Sequence, residues 1–199
     1  MKSKKTAKLM PTNSNILTAS KEIKKTIEVN KDAIYYLFDL DDKKTKTSIT
    51  FNVKPNVSLI FYILSVNNAL THDFKFKFNQ GSKSKVSMFA KCFASKNAKI
   101  TLNGDIIVGK KTQEVIAEQE INGFVFSDFA SISTTPALII DTNNVKASHA
   151  VNIARIEPNK IFYLETKGLD KAQAINMLIM NEISFLNDIK FVKGHENTI

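Results

Sequence analysis

The sequence predicts a mainly β protein that ends in an α-helix, and three observations carry the prediction. From about Ile27 to about Leu164, short segments repeat the two-residue apolar–polar alternation of half-buried strands. Polar turn signals fall between these segments at short intervals. After Gly168 the apolar spacing switches to three and four residues, the period of an amphipathic helix.

Taken in order, residues 1–26 read as a basic arm, polar and interrupted by Pro11, with few large apolar side chains. Residues 27–166 form the predicted β core. Ile49, Phe51 and Val53 alternate with polar neighbours; Phe74, Phe76 and Phe78 alternate with Lys75, Lys77 and Asn79. Val86, Met88 and Ala90 continue the pattern, followed by Ile100 and Leu102, then Ile106 and Val108. Turns are expected at Asn67-Asn68, Gln80-Gly81-Ser82, Asn103-Gly104-Asp105 and Asn143-Asn144. This pattern fits an antiparallel sandwich or barrel as well as a β-solenoid. Lys96-Asn97-Ala98-Lys99 is echoed by Asn143-Asn144-Val145-Lys146, which favours a solenoid with rungs of about 20–25 residues. Residues 167–193 carry the helix. Its stripe comprises Ala172, Ile175, Leu178, Ile179, Ile183, Leu186 and Ile189, with Asp170 as N-cap and Gln173 completing a capping box.

Charge and composition narrow the function. The chain has 199 residues, 43% of them hydrophobic, with a net charge of +9. Residues 1–31 hold eight lysines against Glu22 and Glu28, so most of the excess sits in the arm. Arg155 is the sole arginine, which speaks against base-specific nucleic-acid recognition by bidentate guanidinium contacts. No apolar run has the roughly 18–20 residues a membrane span needs, and no apolar signal core follows the opening lysines. With Cys92 alone there is no internal disulfide. A cytoplasmic location is the resulting expectation.

Enzyme signatures are sparse. The six glycines form no phosphate-binding loop, and one cysteine with His72, His149 and His195 has no zinc-ligand spacing. The acidic run Asp39, Asp41, Asp42 lacks the glycine and distal glutamate of a calcium loop. His149 stands out because, on a strand, it shares a face with Val145, Ala147, Val151 and Ile153. By default that makes it a core histidine. The functional alternative is a metal-ligating imidazole, which needs further ligands from a partner chain.

The stretch from Gln119 to Ala174 carries Phe126-Ser127-Asp128, Thr134-Thr135-Pro136-Ala137-Leu138, Val145-Lys146-Ala147-Ser148-His149-Ala150, Ile161-Phe162-Tyr163-Leu164 and Lys167-Gly168-Leu169. In order and spacing this set resembles the C-terminal half of the SufB/SufD family of iron–sulfur cluster assembly scaffold proteins, over roughly residues 98–180. Asn103-Gly104-Asp105-Ile106-Ile107-Val108 is similar to an upstream strand of that family. The Ser-His-Ala form at 148–150 leans toward SufD. The resemblance implies a right-handed parallel β-helix followed by a C-terminal α-helix, and a non-enzymatic subunit of a SufB–SufC–SufD-like complex. It implies pairing with a SufB-like subunit, or with a second copy, and docking of a SufC-like ATPase on the helix through Ile175, Leu178, Ile179, Ile183 and Leu186. No cofactor is stably bound on this reading; an Fe–S cluster is shared transiently with a partner, with His149 as candidate cluster or iron ligand. Two departures weigh on this. The family's cysteine before Ser-His is Ala147 here, and no cysteine lies near Ala130-Ser131, where SufB carries its own.

Two rival functions remain at this point. One is a β-rich binding module whose lysine-rich arm contacts nucleic acid or another anionic surface. The other is a hydrolase that assembles His149 or His72 with a nucleophile such as Ser148. For the helix, packing against the solenoid's open end is as good an expectation as partner docking.

Overall fold

The computed structural model describes residues 14–19, 21–40 and 43–183. Eleven strands run in chain order: β1 (Ser14–Thr18), β2 (Ile23–Val29), β3 (Ala33–Asp39), β4 (Thr45–Val53), β5 (Ser58–Asn67), β6 (Thr71–Gln80), β7 (Lys85–Ala94), β8 (Lys99–Val108), β9 (Val115–Val125), β10 (Ser131–Ile140) and β11 (Val145–Arg155). Two helices follow, α1 (Pro158–Glu165) and α2 (Lys171–Glu182). Odd strands form one parallel sheet in the order β1-β3-β5-β7-β9-β11, and even strands form a second in the order β10-β8-β6-β4-β2. A chain that alternates between two parallel sheets in this way is a β-solenoid, and the sandwich alternative falls.

The interior follows from the alternation. Phe74, Phe76 and Phe78 are buried while Lys75 and Lys77 face solvent. Parallel pairing in register stacks like positions of successive turns, so aromatic rings meet their counterparts one turn on. Phe51 stacks on Phe78 at 5.2 Å with an interplanar angle of 3°, and Phe61 lies 5.1 Å from Phe51. Tyr35 meets Phe51 edge-on at 5.2 Å. Such pairs contribute about 0.5–1.5 kcal/mol each beyond their area.

Several boundaries differ from the sequence expectation. The arm assigned to residues 1–26 carries β1 and the start of β2; residues 1–13 lie outside the described part. Asn103-Gly104-Asp105 is not a turn but the middle of β8. There Gly104 leaves room for the Gln119 amide, whose Nε2 donates to the Gly104 carbonyl at 3.0 Å and would lie 2.3 Å from any Cβ. The rung estimate is short for the later turns: in-register partners are 20 residues apart between β1 and β3 (Ser14 opposite Ile34) and 32 apart between β8 and β10 (Lys99 opposite Ser131). The two echoed tetrapeptides lead into strands of different sheets, β8 and β11, so they do not mark a repeat. Ile161-Phe162-Tyr163-Leu164, assigned to the β core, forms α1 behind Pro158. Gly168, at φ +94°, therefore turns the chain out of this short helix and not out of a strand.

The α2 capping box is present as the sequence predicts. The Asp170 carboxylate accepts from the Gln173 amide at 2.8 Å, and the Gln173 side chain accepts from the Asp170 amide at 2.8 Å. The helix does not cap the solenoid's end. It lies on the outer face of the odd sheet, where Ile179 and Ile183 are buried against Tyr36, Phe38, Leu64 and Phe93. Lys91 ties its last turn by donating to the Glu182 backbone carbonyl, with the Glu182 carboxylate 3.3 Å away.

Truncating Phe51 to Ala, at the centre of the aromatic stack, is expected to cost about 3–5 kcal/mol in urea denaturation. Gly81→Ala is expected to cost about 1–3 kcal/mol, because the added Cβ would lie 2.6 Å from the Pro55 backbone nitrogen.

Candidate functional site

The last turn of the solenoid is where the structure departs from its own pattern. Each inner turn is covered by the next, but among the described residues β10 and β11 have no strand beyond them. The result is visible in β11, every residue of which is exposed or half-exposed. Val151 and Ile153 keep 44% and 42% of their surface in solvent. Their in-register partners on β9, Ile121 and Gly123, lie within the core side of the sheet.

His149 sits in this strand. Its partner in register is Gln119, so it shares the inner face of the odd sheet with Val145, Ala147, Val151 and Ile153 as the alternation predicts. It is nevertheless exposed, and the core-histidine expectation is overturned, because among the described residues no further turn covers that face. The inner column through Phe61, Met88, Gln119 and His149 passes from apolar to polar toward the open end. Gln119 is buried there with its amide nitrogen bonded and its Oε1 without a partner; Thr134 Oγ1 on β10 is in the same condition. A depression of about 310 Å³ is lined by Ser148, His149, Ala150, Phe89 and Glu118 to Glu120. Hydrogen bonds from Ser87, then Lys85, hold the Glu118 carboxyl below its ordinary range.

The donor set is small. Among the described residues no group of three or more His, Cys, Asp or Glu side chains is arranged to hold a metal ion. Ala147 supplies no thiolate beside His149. Cys92 is fully buried, and burial first, with the Asp39 charge second, pushes its thiol up to about 12. The described residues alone therefore supply no complete ligand set for a cluster. The hydrolase arrangement fails as well. Ser148 is adjacent to His149 on a strand and so faces the opposite side, and His72 is fully buried beside Asp39. Asp41 and Asp42 of the acidic run, and His195, lie outside the described residues.

The helical stripe is divided. Ile179 and Ile183 are consumed by the sheet, Ile175 and Leu178 are half-buried, and Leu186 lies outside the described residues. The exposed apolar side chains nearby were not singled out by spacing: Phe162 and Tyr163 of α1, Met177 of α2, and Phe129 of the β9–β10 connection, at 64%, 60%, 56% and 80% exposure. Of these, Phe129 and Phe162 line a cleft of about 440 Å³ that also contains Arg155, ion-paired to Asp128, and Lys171. No helix among the described residues is long and apolar enough to cross a membrane.

Fold and site together define a parallel β-solenoid that ends in an uncovered strand pair and carries two helices along one flank. Residues 24–181 match the SUF system FeS cluster assembly, SufBD core domain, and the chain belongs to this family. It is 35% identical over 89 residues to an iron–sulfur cluster assembly SufBD family protein of Synechocystis sp., a stretch covering 45% of this chain and 20% of that protein. It is 29% identical over 89 residues to the iron–sulfur cluster assembly protein SufD of Escherichia coli, covering 45% of this chain and 21% of the relative. Against SufD of Bacillus subtilis the identity is 35% over 63 residues, covering 32% of this chain and 14% of the relative. The chain thus spans about a fifth or less of the length of these curated relatives.

At pH 8 the Cys92 thiol is expected to resist a disulfide-exchange reagent in the native protein and to react within minutes once unfolded. Absorbance of the released aromatic thiolate reads this directly.

Proposed function

We propose that the chain acts as a non-enzymatic, SufD-like subunit of a SufB–SufC–SufD-like complex for iron–sulfur cluster assembly. The observation that carries this is β11, a long parallel edge strand, exposed on both faces, at one end of the odd sheet. Free edges pair readily with a strand from another chain, since main-chain donors and acceptors are already aligned. The pairing partner is a SufB-like subunit, or a second copy of this chain.

In that pairing His149 faces the junction, where it contributes one imidazole to a site completed by the partner. The cluster is cargo, passed through and not kept. A SufC-like ATPase docks on the helices. Because Ile179 and Ile183 are committed to the sheet, the docking surface narrows to Phe162, Tyr163 and Met177, flanked by Ile175 and Leu178. The location is cytoplasmic.

Co-expression with tagged SufB-like and SufC-like subunits tests this. Val151→Lys with Ile153→Lys, both at exposed edge positions, is expected to abolish co-purification with the SufB-like subunit while leaving the circular dichroism spectrum unchanged. Phe162→Asp is expected to lose the ATPase subunit only. Wild-type chain that recovers neither subunit would refute the complex. His149→Ala should leave the complex intact and lower its iron and sulfide content after anaerobic reconstitution; unchanged content would remove His149 from the site.

A further inference from the structure

Beneath the seat of α2 lies a buried polar cluster. Asp39 and His72 have side-chain exposures of 1% and 0%, and His72 Nδ1 is 3.0 Å from Asp39 Oδ2. The same ring nitrogen is 3.1 Å from Thr45 Oγ1, and Nε2 is 2.9 Å from the Ala69 carbonyl oxygen. Asp39 Oδ2 also accepts from Ser65 Oγ at 3.0 Å and from Asn67 Nδ2 at 2.7 Å. The cluster joins the C-terminal ends of β3 and β5 to the N-terminal ends of β4 and β6, and so spans the corner between the two sheets.

These distances constrain where the protons are. A carbonyl oxygen only accepts, so Nε2 must carry hydrogen. Asp39 Oδ2 already receives two donors, from Ser65 and Asn67, while its Oδ1 is buried without one. A bare Nδ1 would then aim its lone pair at a carboxylate oxygen 3.0 Å away in a site without solvent. A proton on Nδ1 turns that repulsion into a charge-assisted hydrogen bond.

We propose that His72 is a buried imidazolium paired with the Asp39 carboxylate, a pH-sensitive lock on the corner that supports α2. Two features tie the lock to the helix. Asp39, Ser65 and Cys92 form one inward column, in register across β3, β5 and β7. Their chain neighbours Phe38, Leu64 and Phe93 point outward and hold Ile179 and Ile183. Any shift that relieves an unpaired Asp39 at the inner face moves the outer face with it.

Three other described groups near His72 do not take over its role. Thr45 from β4 is uncharged, Ile100 from β8, in register with His72, is apolar, and the Cys92 thiol from β7 stays protonated below about pH 12. The folded state therefore holds a proton that an unfolded histidine releases near pH 6.5. The stabilisation is complete below that value and is lost as pH rises above it.

Side-chain nitrogen NMR of the full chain tests the pair directly. His72 is expected to show two protonated ring nitrogens from pH 6 to pH 8. In Asp39→Asn the His72 signals should become those of a neutral ring at pH 7. A neutral His72 in the wild type at pH 7, or an imidazolium that survives Asp39→Asn, overturns the proposal. As an independent readout, the wild-type folding equilibrium constant should fall at least about tenfold more than that of His72→Gln between pH 6 and pH 9. Equal pH dependence in the two proteins would count equally against it.

Discussion

A turn of a parallel solenoid does not finish itself. Its inner side chains are covered, and half its backbone groups are bonded, only by the turn that follows. That dependence organises the molecule. It stacks Phe51 on Phe78 with Phe61 tilted against both, lets Gln119 reach across to the Gly104 carbonyl, and leaves the last described turn with its needs unmet. The open edge at β10 and β11 is thus where the described strands stop repeating, and binding there completes a pattern already present.

Much of this was legible in the residues. Alternation found β4, β6 and β7 because each has one wet and one dry face, and the Asp170–Gln173 spacing located the start of α2 to the residue. Gly104 misled because Asn-Gly-Asp is turn chemistry when read locally, whereas here the glycine answers a side chain from another turn. Rung length was misjudged because the turns lengthen along the chain, which hides periodicity. Alternation alone could not choose between sandwich and solenoid, since both present the same two-residue pattern.

The site shows a subtler limit. Spacing correctly placed His149 on the face shared by Ala147 and Val151, yet its burial was misread. Alternation reports which face a residue joins; whether another layer lies over that face is a property of the whole stack. The same holds for the helix. The period found its apolar stripe, but only the aromatic surface of the odd sheet decides that Ile179 and Ile183 are used internally, leaving Phe162, Tyr163 and Met177 outward.

Pro136 occupies the middle of β10, the outermost strand of the even sheet, opposite Gly104. A proline is tolerated there because its missing amide hydrogen would have pointed away from the sheet. The free border of the molecule is consequently unequal: one half presents an unbroken row of donors and acceptors along β11, and the other has a donor removed. Such a border resists end-to-end growth into fibres, the standing hazard of open-ended β-solenoids, while β11 keeps the specific contact available.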